Sequence, residues 1–282
     1  MAITRQDSGD ISVFTWGSGP TSLLALIQDV SFELPADIVE GRGITFKGEN
    51  PQVVKQGGII RTTLMSAVAS CVRVANVDVT AFTLDAVNYA AYLRGGSFNL
   101  SFSHDEGGGV GDYWKYPCVV WPISISAEVT LNLPDSGTAN ALQDTLGDLL
   151  NATAATAIAN RQAVFSITIN GVAVTLPMII ENARWTGEPG KLQTVTFTLK
   201  GNHCAAATDH PTAPTGTTTL LEKAFNAPKT PLAFVLTPKA TNSTSFAGEM
   251  VFSSYGFDFN DSQLIAERYE FLTHGAVTAT GN

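Results

Sequence analysis

Cysteine is scarce in this sequence: Cys71, Cys118 and Cys204 are odd in number, far apart, and form no Cys-x-x-Cys pair. That pattern fits neither a disulfide framework nor a thiolate zinc site, and leaves three small apolar residues suited to a reducing compartment. Charge is scarce as well, at 15% of residues against 44% hydrophobic, which describes a folded protein with an unusually uncharged surface. The little charge there is leans acidic, with a net charge of −9 and a pI of about 4.8. Such a balance argues against gripping nucleic acid through its phosphates, and its ordinary role is solubility. Long hydrophobic runs are missing: Leu23–Ile27 is far too short to span a bilayer, and MAITRQDSGD has no apolar signal core. The expectation is a soluble protein made in the cytosol, with no membrane partner.

The motifs of common chemistries are missing too. Histidine occurs at His104, His203, His210 and His274, and Ser103-His104-Asp105 are consecutive. Adjacency does not assemble a catalytic triad, which is recognised by geometry, so the three read as a polar loop. Asp105, Glu106 and Asp112 surround a run of glycines but lack the spacing and closing Glu of an EF-hand, and read as a turn. Gly41-Arg42-Gly43…Lys47-Gly48 lacks the Gly-Lys-Ser/Thr of a phosphate loop, so it reads as a hairpin tip. Tyr113, Trp114 and Tyr116 beside Lys115 have the chemistry to stack on a base or a sugar. At a strand entrance, packing or an interface is the plainer role. No enzyme, cofactor or metal is expected.

What is present is an internal repeat. Residues 11–66 laid on 77–132 without a gap match at a constant offset of 66, Ser31 falling on Ser97. Phe32/Phe98, Leu34/Leu100, Glu40/Glu106, Gly41/Gly107, Gly43/Gly109, Pro51/Pro117, Val53/Val119 and Ile59/Ile125 are among the matches. A Gly-rich turn and a Pro-x-Val-Val strand start recur in register, the mark of a duplication.

Each copy reads as β structure. Residues 11–16 and 77–82 alternate as short strands, and Phe98, Leu100 and Phe102 share one face of the next. Two long turns rich in Gly and charge follow, Asp37–Asn50 and His104–Tyr116, leading to partner strands Val53–Met65 and Val119–Leu131. On the latter, Ile123, Ile125, Ala127 and Val129 face one way. Each front half is therefore a β-hairpin with a long exposed tip. A helix is expected next, capped by Ser136, with Leu142, Leu146, Leu149 and Leu150 on one stripe. Val164–Ile169 turns at Asn170-Gly171, a strong hairpin signal, into Val172–Asn182; Leu192–Lys200 closes the unit.

After a Pro/Thr/Ala linker at 203–216 the same back half recurs. A helix begins near Thr219, where Thr219-x-x-Glu222 offers a capping box, and strands follow at Leu232–Leu236, Phe246–Ser254 and Leu264–Gly275. Two fronts followed by two backs parse most simply as nesting: 77–202 is one unit inserted into another made of 1–76 plus 203–282. A crossed pairing of the halves is the alternative.

Tyr113-Trp114-Lys115-Tyr116-Pro117, then Ser124–Asn132, a helix, and Gly187-Glu188…Leu192–Gly201 resemble the tail tube (major tail) proteins of long-tailed bacteriophages. The resemblance covers 77–202 well and the rest through the repeat. It implies a mainly β fold of two tail-tube-like β-sandwich units, each with a flanking α-helix, sharing a β-barrel on oligomerisation. It also implies stacked pseudo-hexameric rings built from trimers, a tail channel that DNA passes without specific binding, and tape measure and baseplate or terminator proteins as partners. The protein would belong to the virion tail, assembled in the host cytoplasm. The loops expected to touch between rings carry Asp37, Glu40, Arg42, Lys47, Glu49, His104, Asp105, Glu106, Asp112, Trp114 and Lys115. A distal-tail or baseplate ring protein of the same fold is an alternative, and so is a carbohydrate-binding β-sandwich using Trp114 or Trp121.

Overall fold

Period-two alternation governs most of the chain, and strands dominate it accordingly. In a computed structural model the structure describes residues 13–16, 21–22, 27–41, 50–65, 77–84, 87–109, 111–133, 147, 161–169, 172–201, 220–237, 244–260 and 266–281. The front strands are β1 (Val13–Trp16), β2 (Thr21–Ser22), β3 (Ile27–Glu33), β4 (Ala36–Gly41), β5 (Asn50–Gln56) and β6 (Ile59–Met65). A central run holds β7 (Val77–Leu84), β8 (Val87–Asn88), β9 (Leu93–Glu106), β10 (Pro117–Asn132), β11 (Gln162–Ile169), β12 (Val172–Thr186) and β13 (Thr194–Gly201). The last run holds α1 (Leu220–Asn226), β14 (Leu232–Thr237), β15 (Thr244–Asn260), β16 (Ala266–Thr273) and β17 (Thr278–Gly281). The helix expected after Ser136 lies outside the described residues except for Gly147, which is helical. Thr219 and the Glu222 side chain of the expected capping box lie outside them too.

Parts of two stretches read as turns are strands. The Asp37–Asn50 tip is framed by β4 and β5, which pair as a small sheet of their own, from Ala36↔Gln56 to Gly41↔Asn50. His104, Asp105 and Glu106 continue β9, opposite Val119, Cys118 and Pro117. Gly and charge lower strand propensity, but two flanking strands already in register carry the ladder onward through such residues.

The central run pairs antiparallel in the order β9–β10–β13–β12–β11–β7–β8. The front strands and the last run pair with each other in the order β3–β6–β16–β15–β14–β1–β2. The two series follow the same path, down to a β-bulge at Ile180/Asn182 in β12 and at Phe252/Ser254 in β15. A bulge bends its strand and strengthens the local twist, so the same bend sits at the same place in both.

One ladder joins the series. The second half of β15 pairs with β9, from Ser254↔Ser101 to Asn260↔Gly95, making a single 15-stranded sheet of the described strands other than β4 and β5. The sheet has one apolar face and one polar face. Phe98, Leu100, Phe102, Ile123, Ile125, Ala127, Val129, Val195, Phe197, Leu199, Tyr255, Phe257, Tyr269 and Phe271 are buried on the first, with Leu220 and Ala224 of α1 in the same core. Each such large side chain contributes about 1.5–3 kcal/mol on burial. Aromatic rings continue across the ladders, with centroids 5.1 Å apart for Phe252–Phe271 and 4.8 Å for Tyr255–Tyr269.

Candidate assembly surfaces

The first surface is the pair of hairpin tips, which are bound to each other. Gln56 N–H donates to Tyr113 O at 2.8 Å, Lys115 N–H donates to Gln56 O at 2.8 Å, and Tyr113 Oη donates to Gln56 Oε1 at 2.7 Å. Lys115 Nζ reaches Asp37 Oδ1 at 2.8 Å. The far side of the same segment is held by Gly275 N–H, which donates to Lys115 O at 2.8 Å, and by His274 Nδ1, 3.0 Å from Pro117 O. Gly275 stands at φ +82°, and a Cβ there would meet the Tyr116 ring at 2.6 Å, so the close approach requires glycine.

Glu106 organises the Gly-rich turn. Its Oε1 accepts from Tyr116 N–H at 2.7 Å and Gly108 N–H at 3.2 Å, with Lys55 Nζ at 3.9 Å. Asp112 Oδ2 accepts from Gly109 N–H at 2.5 Å. These carboxylates bind backbone donors of their own turn, which is what an ordered Gly-rich loop needs. His104 Nε2 lies 2.7 Å from Phe252 O, so it ties β9 to β15. Asp105 is exposed, and Trp114 is half-buried beside Tyr113 with ring centroids 5.8 Å apart. Of the residues expected at the tips, the structure thus gathers Asp37, Glu106, Asp112, Trp114 and Lys115 on one surface. His104 and Asp105 stand on the strand beneath. Arg42, Lys47, Glu49 and the side chain of Glu40 lie outside the described residues, as does the side chain of Trp121.

The second surface is a pair of open strand edges. Among the described residues β3 pairs with β6 alone, and Asn182–Thr186 of β12 pair with β13 alone, because the β11 ladder ends at Gln162, opposite Ile179. Large apolar side chains sit there: Leu34 is 45% exposed just beyond β3, and Trp185 is 62% exposed on β12. An exposed edge with apolar side chains is a template for another strand. Nothing in the sequence pattern marks these edges, since alternation tells which face a residue takes and not whether the strand has a neighbour.

The third feature is a groove of about 600 Å³ on the polar face, lined by Asp29, Ser31, Arg61, Asn99, Asp258 and Arg268 among others. Its cations are paired. Arg61 bonds Glu33 at 2.8 Å and Glu270 at 2.6 Å, which hold its guanidinium above the usual arginine range in that order, and Arg268 bonds Asp258. Beside the core, Glu267 is buried and accepts from Tyr255 Oη at 3.2 Å and Tyr269 Oη at 3.3 Å. Desolvation pushes its carboxyl above the usual range, and the two hydroxyl bonds oppose that shift. Among the described residues there is no cluster of His, Cys, Asp or Glu placed to hold a metal, and no helix long and apolar enough to cross a membrane.

The sequence matches no family model and no curated protein. A solved chain from "Virion of native gene transfer agent (GTA) particle" is similar at 16% identity and a TM-score of 0.32, over 44% of this chain and 91% of that one. Likeness at that level establishes no common fold.

Proposed function

We propose that the protein is a structural virion protein, the tail tube subunit of a long-tailed bacteriophage. In this reading the two strand series are duplicated tail-tube-like sandwich units, nested as 77–202 within 1–76 plus 203–282. The observation that carries it is the β9–β15 ladder: a seam already joins the two series inside one chain, while among the described residues an edge strand of each series, β3 and the end of β12, stays open. A head-to-tail contact of that kind closes into a ring by rotation. Six units around the ring require three chains, with closed strand edges all the way round.

The polar face then lines the channel. Arg61 and Arg268 there already hold carboxylate partners, so they are not free to grip DNA, and a wall that bound a duplex bearing one charge per roughly 1.7 Å would stall its passage. The hairpin tips stand beyond the sheet, available to the next ring. Ring-on-ring contacts are open and propagate a filament. The partners are further copies of the chain, with tape measure and baseplate or terminator proteins at the ends of the tube. No enzymatic activity or cofactor belongs to this reading, which places the protein in the virion tail after assembly in the host cytoplasm.

Negative-stain imaging of the purified protein tests this directly. The expected result is annular particles with three-fold averages that stack into hollow tubes. Rings that never stack would favour a distal-tail or baseplate ring protein, and a stable monomer at high concentration would overturn both.

A further inference from the structure

The equivalence of the two series says which residues of two copies should meet. In β15, Phe252, Tyr255 and Phe257 lie opposite Phe271, Tyr269 and Glu267 of β16. In β12, Ile180, Ala183 and Trp185 lie opposite Leu199, Phe197 and Val195 of β13, with the bulge falling between the same positions. Trp185 therefore stands in its series where Phe257 stands in the other. On the opposite edge, Phe32 lies across from Ile60 as Phe98 lies across from Ala127, and both second residues lie next to matching positions, Phe271 and Leu199. Phe32 is thus the counterpart of Phe98.

Within the chain Phe98 and Phe257 face each other across the β9–β15 seam and both are 1% exposed, whereas Trp185, in the place of Phe257, is 62% exposed. Among the described residues the difference between the two sites is the strand that covers one of them. We propose that the edge of β3 pairs antiparallel with the Ala183–Thr186 edge of β12 in a second copy, in the register that β9 and β15 use. This rests on the ring reading above and adds to it a specific interface.

The register puts Phe32 opposite the partner copy's Trp185, Leu34 opposite its Ala183, Ser31 opposite its Thr186, and Glu33 opposite its Arg184. Faces agree at every position. Phe32 lies with the core, its ring 5.3 Å from that of Phe246, while Glu33 lies on the polar face where it already meets Arg61. Glu33 against Arg184 adds an opposite-charge cross-strand pair, a favourable arrangement. Bulk is exchanged sensibly as well. The inner seam fits Phe259 against Gly96, where a Cβ would lie 2.7 Å from the Phe259 ring. The proposed seam would set Val30 near Gly187, again a larger residue against a glycine. The ladder ends there because β12 ends at Thr186, short of setting Asp29 against Glu188.

The test compares self-association of the full chain by sedimentation and electron microscopy for the wild type, Trp185→Asp, Glu33→Lys, Arg184→Glu and the double variant Glu33→Lys/Arg184→Glu. Trp185→Asp is expected to leave a folded monomer with an unchanged far-UV spectrum and melting curve, since the side chain is exposed in the free chain. Each single charge reversal should weaken association severalfold at low salt, and the double reversal should restore it. Tubes that form normally from Trp185→Asp would overturn this seam and leave the tube reading intact. Wild-type rings that are lost with Trp185→Asp, yet never stack, would uphold the seam and sink the tube. A double variant no better than the weaker single variant would overturn the register.

Discussion

Phe98 and Phe257 lie directly opposite each other where the two strand series meet, with ring centroids 5.3 Å apart and planes inclined at 31°. They make the joint a piece of core. A seam between separately sealed modules would be wet and polar, whereas this one is continuous with the aromatic cluster that runs through Tyr255 and Tyr269.

Gly96 is what lets the three strands of that joint close up. A Cβ at this position would fall 2.0 Å from the carbonyl oxygen of Glu128 and 2.7 Å from the Phe259 ring. The first neighbour is backbone in the middle of the β9–β10 ladder and cannot give. Gly96→Val is expected to destabilise the chain by about 1–3 kcal/mol or more, the usual cost of overpacking. Phe257→Ala should cost about 3–5 kcal/mol by leaving a cavity. Urea titration of both variants checks this. A Phe257→Ala chain as stable as the wild type would mean that the β9–β15 joint does not exist in solution.

Much of the fold was legible as faces and little of it as neighbours. Ile123, Ile125, Ala127 and Val129 do share the buried face, and Asn170-Gly171 does separate two paired strands, Ile169 lying opposite Val172. Those signals are local. The β9–β15 ladder joins residues about 150 positions apart, and no periodicity records a partner at that distance. The strand β4 was hidden for another reason: Asp37, Glu40 and Gly41 argue against a strand when taken alone, and only pairing with β5, whose Val53–Gln56 the pattern did mark, overrides them. At the tips the charged residues were visible, but the bonds that bind one tip to the other run through Gln56 and the backbone of Tyr113 and Lys115, which carry no signature.

Glu267 is a buried carboxyl whose pKa burial raises above the ordinary range. For an acid the raised value means that the folded chain holds its proton more tightly than the unfolded chain. The linked stability is fully present below the unfolded pKa and is lost as pH rises through the folded one. Wild-type stability should therefore decline from acid toward neutral pH through this group, as the carboxylate is forced to ionise between Tyr255 and Tyr269. Glu267→Gln removes that slope. Its melting temperature should match or exceed the wild type at neutral pH, by about 2–4 °C for each kcal/mol recovered. The advantage should shrink in mild acid, where the wild-type carboxyl is neutral as well. Melting curves across pH for the two proteins decide it, and a variant that loses ground at neutral pH would mean that the two tyrosine bonds need a charged acceptor.

The tips are the remaining element with a distinct job to test. From the sequence, deletion of 104–112 or Gly107→Pro looks like a change that spares the fold. The structure narrows the cut. His104–Glu106 belong to β9, and Gly107 N–H donates to Tyr116 O at 2.8 Å, so proline there would remove a ladder bond. Removing only Gly108–Asp112 leaves β9, β10 and the Lys115–Asp37 contact in place. Glu106 would lose Gly108 but keep Tyr116. The shortened chain should fold with a melting temperature within a few degrees of the wild type and still close into rings, because the seam edges lie elsewhere. What it should lose is stacking: isolated rings in place of tubes by electron microscopy, at concentrations where the wild type polymerises. Tubes of ordinary length from this variant would show that the Gly-rich turn is not what one ring offers the next.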